Sequence, residues 1–88
     1  MEQAQLIIEE WLTECRDRTL YEAADINSRL NQLMEMITDE EAQHIMIAWR
    51  EALPLSEYHG ASRVSDNLLD MWGCVTRAIA QVAVDVEV

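Results

Sequence analysis

The stretch from Thr19 to Pro54 decides the fold, and it reads TLYEAADINSRLNQLMEMITDEEAQHIMIAWREALP. It contains the Thr-x-x-Glu spacing twice, at Thr19–Glu22 and at Thr38–Glu41. In such a capping box the threonine oxygen accepts from the backbone N–H three residues on, and the glutamate reaches back to the threonine N–H. Each spacing therefore predicts the start of a helix, and the proline predicts the end of the second one.

Apolar residues recur at helical spacing behind both caps, as expected for helices that bury one face. The helix behind the first cap is predicted over 20–37. Its stripe consists of Ala23, Ile26, Leu30, Leu33 and Ile37. The helix behind the second cap is predicted over 39–53. Its stripe consists of Ala42, Ile45, Met46, Trp49, Ala52 and Leu53.

Two further helices are predicted outside that stretch, over 2–16 and 63–84. The last helix is apolar over more than half of its circumference. Because a helix that is apolar on most sides is usually buried on most sides, this one is predicted either to be the centre of the domain or to meet a second copy of the chain. The residues assigned to such a self-association face are Leu69, Trp72, Gly73, Thr76 and Ala80.

Together the four segments predict a compact all-α bundle that forms a single domain over residues 1–88. Two glycines and one proline leave little turn material for a many-stranded β fold. The ending VAVDVEV alternates apolar and polar residues, so a terminal strand stays open as an alternative. Cys15 and Cys74 lie far apart and outside any CxxC pattern, so no disulfide is predicted.

The chain carries a formal charge of −11, and this charge is unevenly distributed. Residues 1–44 contain eleven acids and three arginines, a net charge of −8, whereas residues 45–88 carry −3. Such an acidic surface repels the phosphates of nucleic acids and anionic membranes, so direct binding of DNA, RNA or membrane is not expected. The expected partner is a larger protein with a basic surface, and solubility alone is the alternative explanation of the charge.

The side chains expected to face that partner lie on the outer sides of the first and third helices. They are Glu9, Glu10, Asp39, Glu40, His44 and Ile47. Glu41-x-x-His44 also has the spacing of carboxylate-bridged metal sites in helical bundles. Ligands of such sites converge in the interior, however, and His44 projects away from the buried stripe. No metal ligand and no cofactor is therefore predicted.

Catalytic chemistry is not indicated either. His59 lies in the one long connection, with no nucleophile turn or oxyanion arrangement, and is predicted to be a solvent-exposed loop histidine. No nucleophile, base and orienting group come together in the sequence, so an enzyme is not expected. The start MEQAQLIIEE is acidic where a signal peptide needs positive charge. No uncharged stretch reaches the roughly 20 residues of a membrane span, so a cytoplasmic location is expected.

These patterns predict a small non-catalytic protein-binding module. The leading hypothesis is a stoichiometric inhibitor or regulator, of the kind that phages and mobile elements use against host nucleic-acid-handling machinery such as a defence complex. Only the small size, helical class and acidic charge of the chain support this hypothesis. One alternative is a homodimeric structural adaptor or assembly chaperone joined through the last helix. The second alternative is a metal-dependent enzyme built on a helical bundle.

Overall fold

A computed structural model of the chain describes residues 2–53 and 58–87, with their side chains as far as Val82. This part contains four helices, α1 (Glu2–Asp17), α2 (Ala23–Met36), α3 (Glu40–Ala52) and α4 (Ala61–Glu87). Two short strands accompany them, β1 (Leu20–Glu22) and β2 (Tyr58–Gly60). The predicted all-α bundle of four helices is confirmed, and Cys15 and Cys74 are free, as predicted.

α1 packs along α4 in the antiparallel direction. Gln5 Nε2 donates to Thr76 Oγ1 at 3.0 Å, and Trp72 Nε1 donates to Glu9 Oε1 at 3.2 Å. As the residue number rises in α1 it therefore falls in α4. The two contacts also place the N-terminal half of α1 beside the segment 72–76 of α4.

α3 packs along α4 in the antiparallel direction as well. Near its start, Glu41 lies 3.3 Å from Arg77, while its end at Ala52 shares a groove with Arg63, close to the beginning of α4. α4 therefore packs against α1 and α3, and its remaining side is exposed at Leu69 and Ala80. The residues that it buries completely are Val64, Leu68, Met71 and Val75.

Aromatic side chains form the middle of the core. The rings of Trp11 and Trp49 stack with centroids 5.6 Å apart, and Tyr21 meets Trp11 edge-on at 6.1 Å. Pairs at such separations stabilise by about 0.5–1.5 kcal/mol beyond their burial. Ala52, predicted to be buried in the stripe of the third helix, is instead exposed. Ala52 is the last residue of α3, and the chain after it places Leu53 in the core instead.

The capping box predicted at Thr19 and Glu22 is wrong. Residues 20–22 form β1, which pairs antiparallel with β2, and α2 begins only at Ala23. Glu22 occupies the N-cap position without a side-chain cap hydrogen bond, and the Thr19 carbonyl accepts from the N–H of Ala61 at 2.9 Å. The strand pairing buries Tyr21 completely, and aromatic residues favour strands, so this tertiary contact outweighs the local helical spacing.

The second cap is displaced by one residue from its predicted position. The N-cap of α3 is Asp39, whose Oδ2 accepts from the N–H of Ala42 at 3.0 Å, and the helix begins at Glu40. Thr38 was predicted to hold this position. Aspartate is among the best N-cap residues, so the neighbouring carboxylate can replace the threonine hydroxyl.

α4 extends further in both directions than predicted. It begins at Ala61 and continues to Glu87, so a strand over residues 82–87 is excluded. Because Thr76 lies beside Gln5, the residues after Ala80 extend past the start of α1. The side chains of Ala80, Gln81 and Val82 are accordingly exposed.

Candidate functional site

Two arginines are held in a network between α1 and α2. The Arg29 guanidinium donates two hydrogen bonds to the Glu14 carboxylate, at 2.9 and 3.0 Å, and a third to Asp25 at 3.2 Å. Arg18 bonds Glu14 at 2.8 Å. The hydrogen bond from Arg29, together with that from Arg18, lowers the pKa of Glu14 to about 2 against the opposing effect of burial. This network therefore neutralises two of the six arginines within the fold.

The same arginines cover the aromatic core. The Arg18 guanidinium lies 4.0 Å from the ring centre of Tyr21, and Arg29 lies 5.1 Å from that of Trp11. Burial raises the pKa of the Tyr21 hydroxyl. Guanidinium groups stabilise aromatic faces at such distances, so the network is explained by the stability of the fold.

The predicted acidic residues lie on the N-terminal part of α1 and at the start of α3. Because α1 and α3 both run antiparallel to α4, the beginnings of both helices lie beside the same part of α4. We use the name acidic end for the carboxylates on the N-terminal part of α1 and at the start of α3. Its residues are Glu2, Glu9, Glu10, Asp39 and Glu40. Asp39 is half-buried by its capping role, and the other four are exposed.

The other two residues predicted to face a partner follow on α3. His44 is exposed one turn after Glu40, and Ile47 is half-buried. The Glu41 carboxylate turns instead toward α4, where its Oε2 lies 3.7 Å from Cys74 Sγ and 3.3 Å from Arg77 Nη2. The Glu41-x-x-His44 spacing thus contributes one side chain to a helix contact and one to the surface.

The structure places the residues assigned to self-association in three different environments. Trp72 and Thr76 make hydrogen bonds to α1 of the same chain, so their polar groups are used within the fold. Leu69 and Ala80 are exposed. Gly73 is half-buried, and a Cβ built at this position meets no atom within 4 Å, so the packing of this chain does not require a glycine there.

Sequence reasoning missed a group of potential metal ligands. Within the part of the chain that the structure describes, Asp39, Glu41 and Cys74 form the one group whose ligand atoms all lie within 4.8 Å of one another. Cys74 is 5% exposed. Burial raises the pKa of its thiol. Finding this group requires knowing how α3 is aligned along α4. A single sequence does not reveal that alignment.

His59 also departs from its prediction. It belongs to β2 and is half-buried, and its Nε2 is enclosed without a hydrogen-bond partner among the residues that the structure describes. It was predicted to be an exposed loop histidine. The pairing of His59 with Tyr21 across the two strands explains its burial, because it draws the histidine against the core.

Comparisons of the chain with protein-family models, curated proteins and solved structures find no match. In the described residues, none of the helices is long and apolar enough to span a bilayer.

Proposed function

We propose that this chain is a non-catalytic binding module whose acidic end docks on a basic surface of a larger protein. The supporting observation is that three arginines are held in ion pairs, whereas glutamates of the acidic end are exposed and unpaired within the described part of the chain. Arg18, Arg29 and Arg77 are held in ion pairs inside the chain. Glu10 and Glu40, by contrast, are exposed and form no ion pair with any described residue. The excess negative charge is therefore free to attract a partner.

An exposed leucine lies inside the acidic end. Leu6 is 58% exposed on α1, one turn from Glu2 and one turn from Glu10. Protein interfaces commonly combine an apolar centre with a polar rim, and the charges of the rim accelerate the encounter. We therefore assign to Leu6 the contact that slows dissociation, and to the surrounding glutamates the steering of association.

Binding of this kind would make the chain a stoichiometric inhibitor or regulator. A basic protein surface attracts phosphates, and an acidic domain that covers it competes for the same lysines and arginines. Machinery that handles nucleic acids, including a defence complex, offers such surfaces. A protein encoded by a phage or a mobile element would gain from blocking them.

The proposal predicts that carboxylates of the acidic end control the association rate. A partner captured from a lysate of the source cells and purified would be mixed with the parent chain and with a variant carrying Glu9→Gln, Glu10→Gln and Glu40→Gln. Glutamine keeps the oxygen that accepts from Trp72. Association at low salt should slow by roughly tenfold or more, while dissociation changes less.

A matched variant separates local from total charge. Glu22→Gln, Glu51→Gln and Asp66→Asn remove the same three charges from exposed positions outside the acidic end. This variant should associate almost as fast as the parent. If both variants slow equally, only net charge matters, and if neither slows, the acidic end is not the docking surface.

A second candidate function, a homodimeric adaptor or assembly chaperone, is favoured by apolar exposure on α4. Leu69 is 52% exposed, and Ala80, about three turns further along the same side of α4, is exposed as well. In a homodimer built on this face, Leu69→Glu and Ala80→Glu should each cause dissociation without unfolding, because both positions are exposed. Leu6→Glu on α1 is the control. Sedimentation decides the point, and a parent chain that stays monomeric at high micromolar concentration rules this candidate out.

A further inference from the structure

We propose that Asp39, Glu41 and Cys74 form a binding site for Zn²⁺ between α3 and α4. Two of these side chains come from the N-cap and the first turn of α3, and the third comes from the middle of α4. In the sequence Glu41 is spaced as a metal ligand with His44, which is exposed on the outer side of α3. In the structure the Glu41 carboxylate instead lies next to Cys74, which belongs to α4.

The separations suit a tetrahedral metal. Glu41 Oε2 and Cys74 Sγ are 3.7 Å apart. Around zinc, with Zn–S of about 2.3 Å and Zn–O of about 2.0–2.2 Å, a sulfur and an oxygen ligand stand roughly 3.5 Å from each other. All three ligand atoms lie within 4.8 Å of one another, so a small inward movement of the Asp39 carboxylate completes the set.

The chemistry of the ligands selects the metal. A thiolate is a soft ligand that favours zinc, whereas magnesium and calcium are bound by oxygen alone. Cys74 is 5% exposed, and its Sγ is directed at the Glu41 carboxylate. Three protein ligands leave the fourth position to water.

A positive group already lies against these ligands. Arg77 Nη2 is 3.3 Å from Glu41 Oε2 and 3.7 Å from Cys74 Sγ, and the Arg77 side chain is 71% exposed. The guanidinium can therefore move into solvent when Zn²⁺ arrives. In this exchange the metal forms a bond to the sulfur, the Cys74 S–H bond breaks, and its proton passes to solvent. No electron transfer is involved.

The site is tested by titrating the full chain with Co²⁺, whose thiolate complexes show charge-transfer absorption. The expected result is one Co²⁺ per chain, displaced by Zn²⁺. Cys74→Ala should abolish the absorption. Asp39→Asn and Glu41→Gln should weaken binding by at least about tenfold, the effect of losing even a supporting residue of a metal site. Asparagine is a good N-cap, so Asp39→Asn removes the ligand while keeping the start of α3.

Arg77→Gln distinguishes a metal site from a simple ion pair between Arg77 and Glu41. Removing the competing guanidinium should tighten Co²⁺ binding, whereas the loss of an unrelated surface charge should leave it unchanged. Cys15→Ala and Glu40→Gln are the controls and should bind as the parent does. The proposal is overturned if the parent shows no charge-transfer absorption, if Cys15→Ala removes it, or if folded Cys74→Ala retains it.

Discussion

At the scale of single residues, the ionisation of Glu14 is closely tied to folding. Its pKa is lowered from 4.5 to about 2 by hydrogen bonds, first of all from Arg29. A group whose folded pKa lies below its unfolded pKa stabilises the fold above the unfolded value, and this contribution is lost as the pH falls through the folded value. Glu14 should therefore stabilise the protein fully at neutral pH and progressively less between pH 4.5 and about 2.

The corresponding prediction concerns Glu14→Gln. At neutral pH the variant should lose about 1–2 kcal/mol of the free energy of unfolding, a range that allows for the partial exposure of this ion pair. Near pH 2 the difference from the parent should have largely disappeared. Urea unfolding across this pH range measures both quantities, with Glu10→Gln as the exposed neighbouring control. A constant difference at all pH values would mean that the loss comes from packing and not from ionisation.

At the scale of elements, the helix starts give a direct test of the observed caps. Asp39→Ala should destabilise by about 0.5–2 kcal/mol, because the Ala42 N–H loses its acceptor. Thr19→Ala and Thr38→Ala should have little effect, since the bond at Thr19 uses its backbone carbonyl and the cap of α3 is Asp39. Chemical denaturation of the three variants measures the effects. A large loss for Thr38→Ala with none for Asp39→Ala would restore the cap predicted from the sequence.

The sequence predicted the helices because each has its own apolar stripe. Ile26, Leu30 and Leu33 were assigned to the core from spacing alone, and all are completely buried. The strands could not be predicted in this way. β1 has three residues, and its pairing depends on β2, whose residues lie about forty positions away. At Thr19 the local spacing matched a capping box, and only the tertiary contact overrides it.

The sequence likewise predicts one part of the candidate site and not the other. The exposure of Glu9, Glu10 and Glu40 follows from their positions opposite the stripes, and the structure confirms it. The approach of Glu41 to Cys74 spans 33 positions and depends on how α3 slides along α4. Periodicity within one helix contains no information about that register, so the group of three ligands could not be found from the sequence.

At the scale of the whole molecule, the net charge affects the free energy of unfolding. A charge of −11 repels itself, and the acidic end concentrates that repulsion. Raising the ionic strength from about 0.01 to 0.15 M shortens the Debye length from about 30 to 8 Å, so the free energy of unfolding at neutral pH should rise. The triple variant Glu9→Gln, Glu10→Gln and Glu40→Gln should respond less to salt. If added salt destabilises the parent, the ion pairs of Arg18 and Arg29 outweigh the repulsion.

The antiparallel pairing of α1 with α4 has a consequence for the protein while it is being made. Gln5 and its partner Thr76 are separated by 71 positions, so the ribosome completes α1 long before it completes the helix that covers it. At synthesis rates of about 5–20 residues per second, the delay is roughly 4–14 s. During that time the side of α1 that packs on α4 has no native partner, although Tyr21 and Trp49, which contact Trp11, are made before α4. Transiently exposed apolar surface of this kind is what chaperones bind, so we expect the need for them to end once α4 is released.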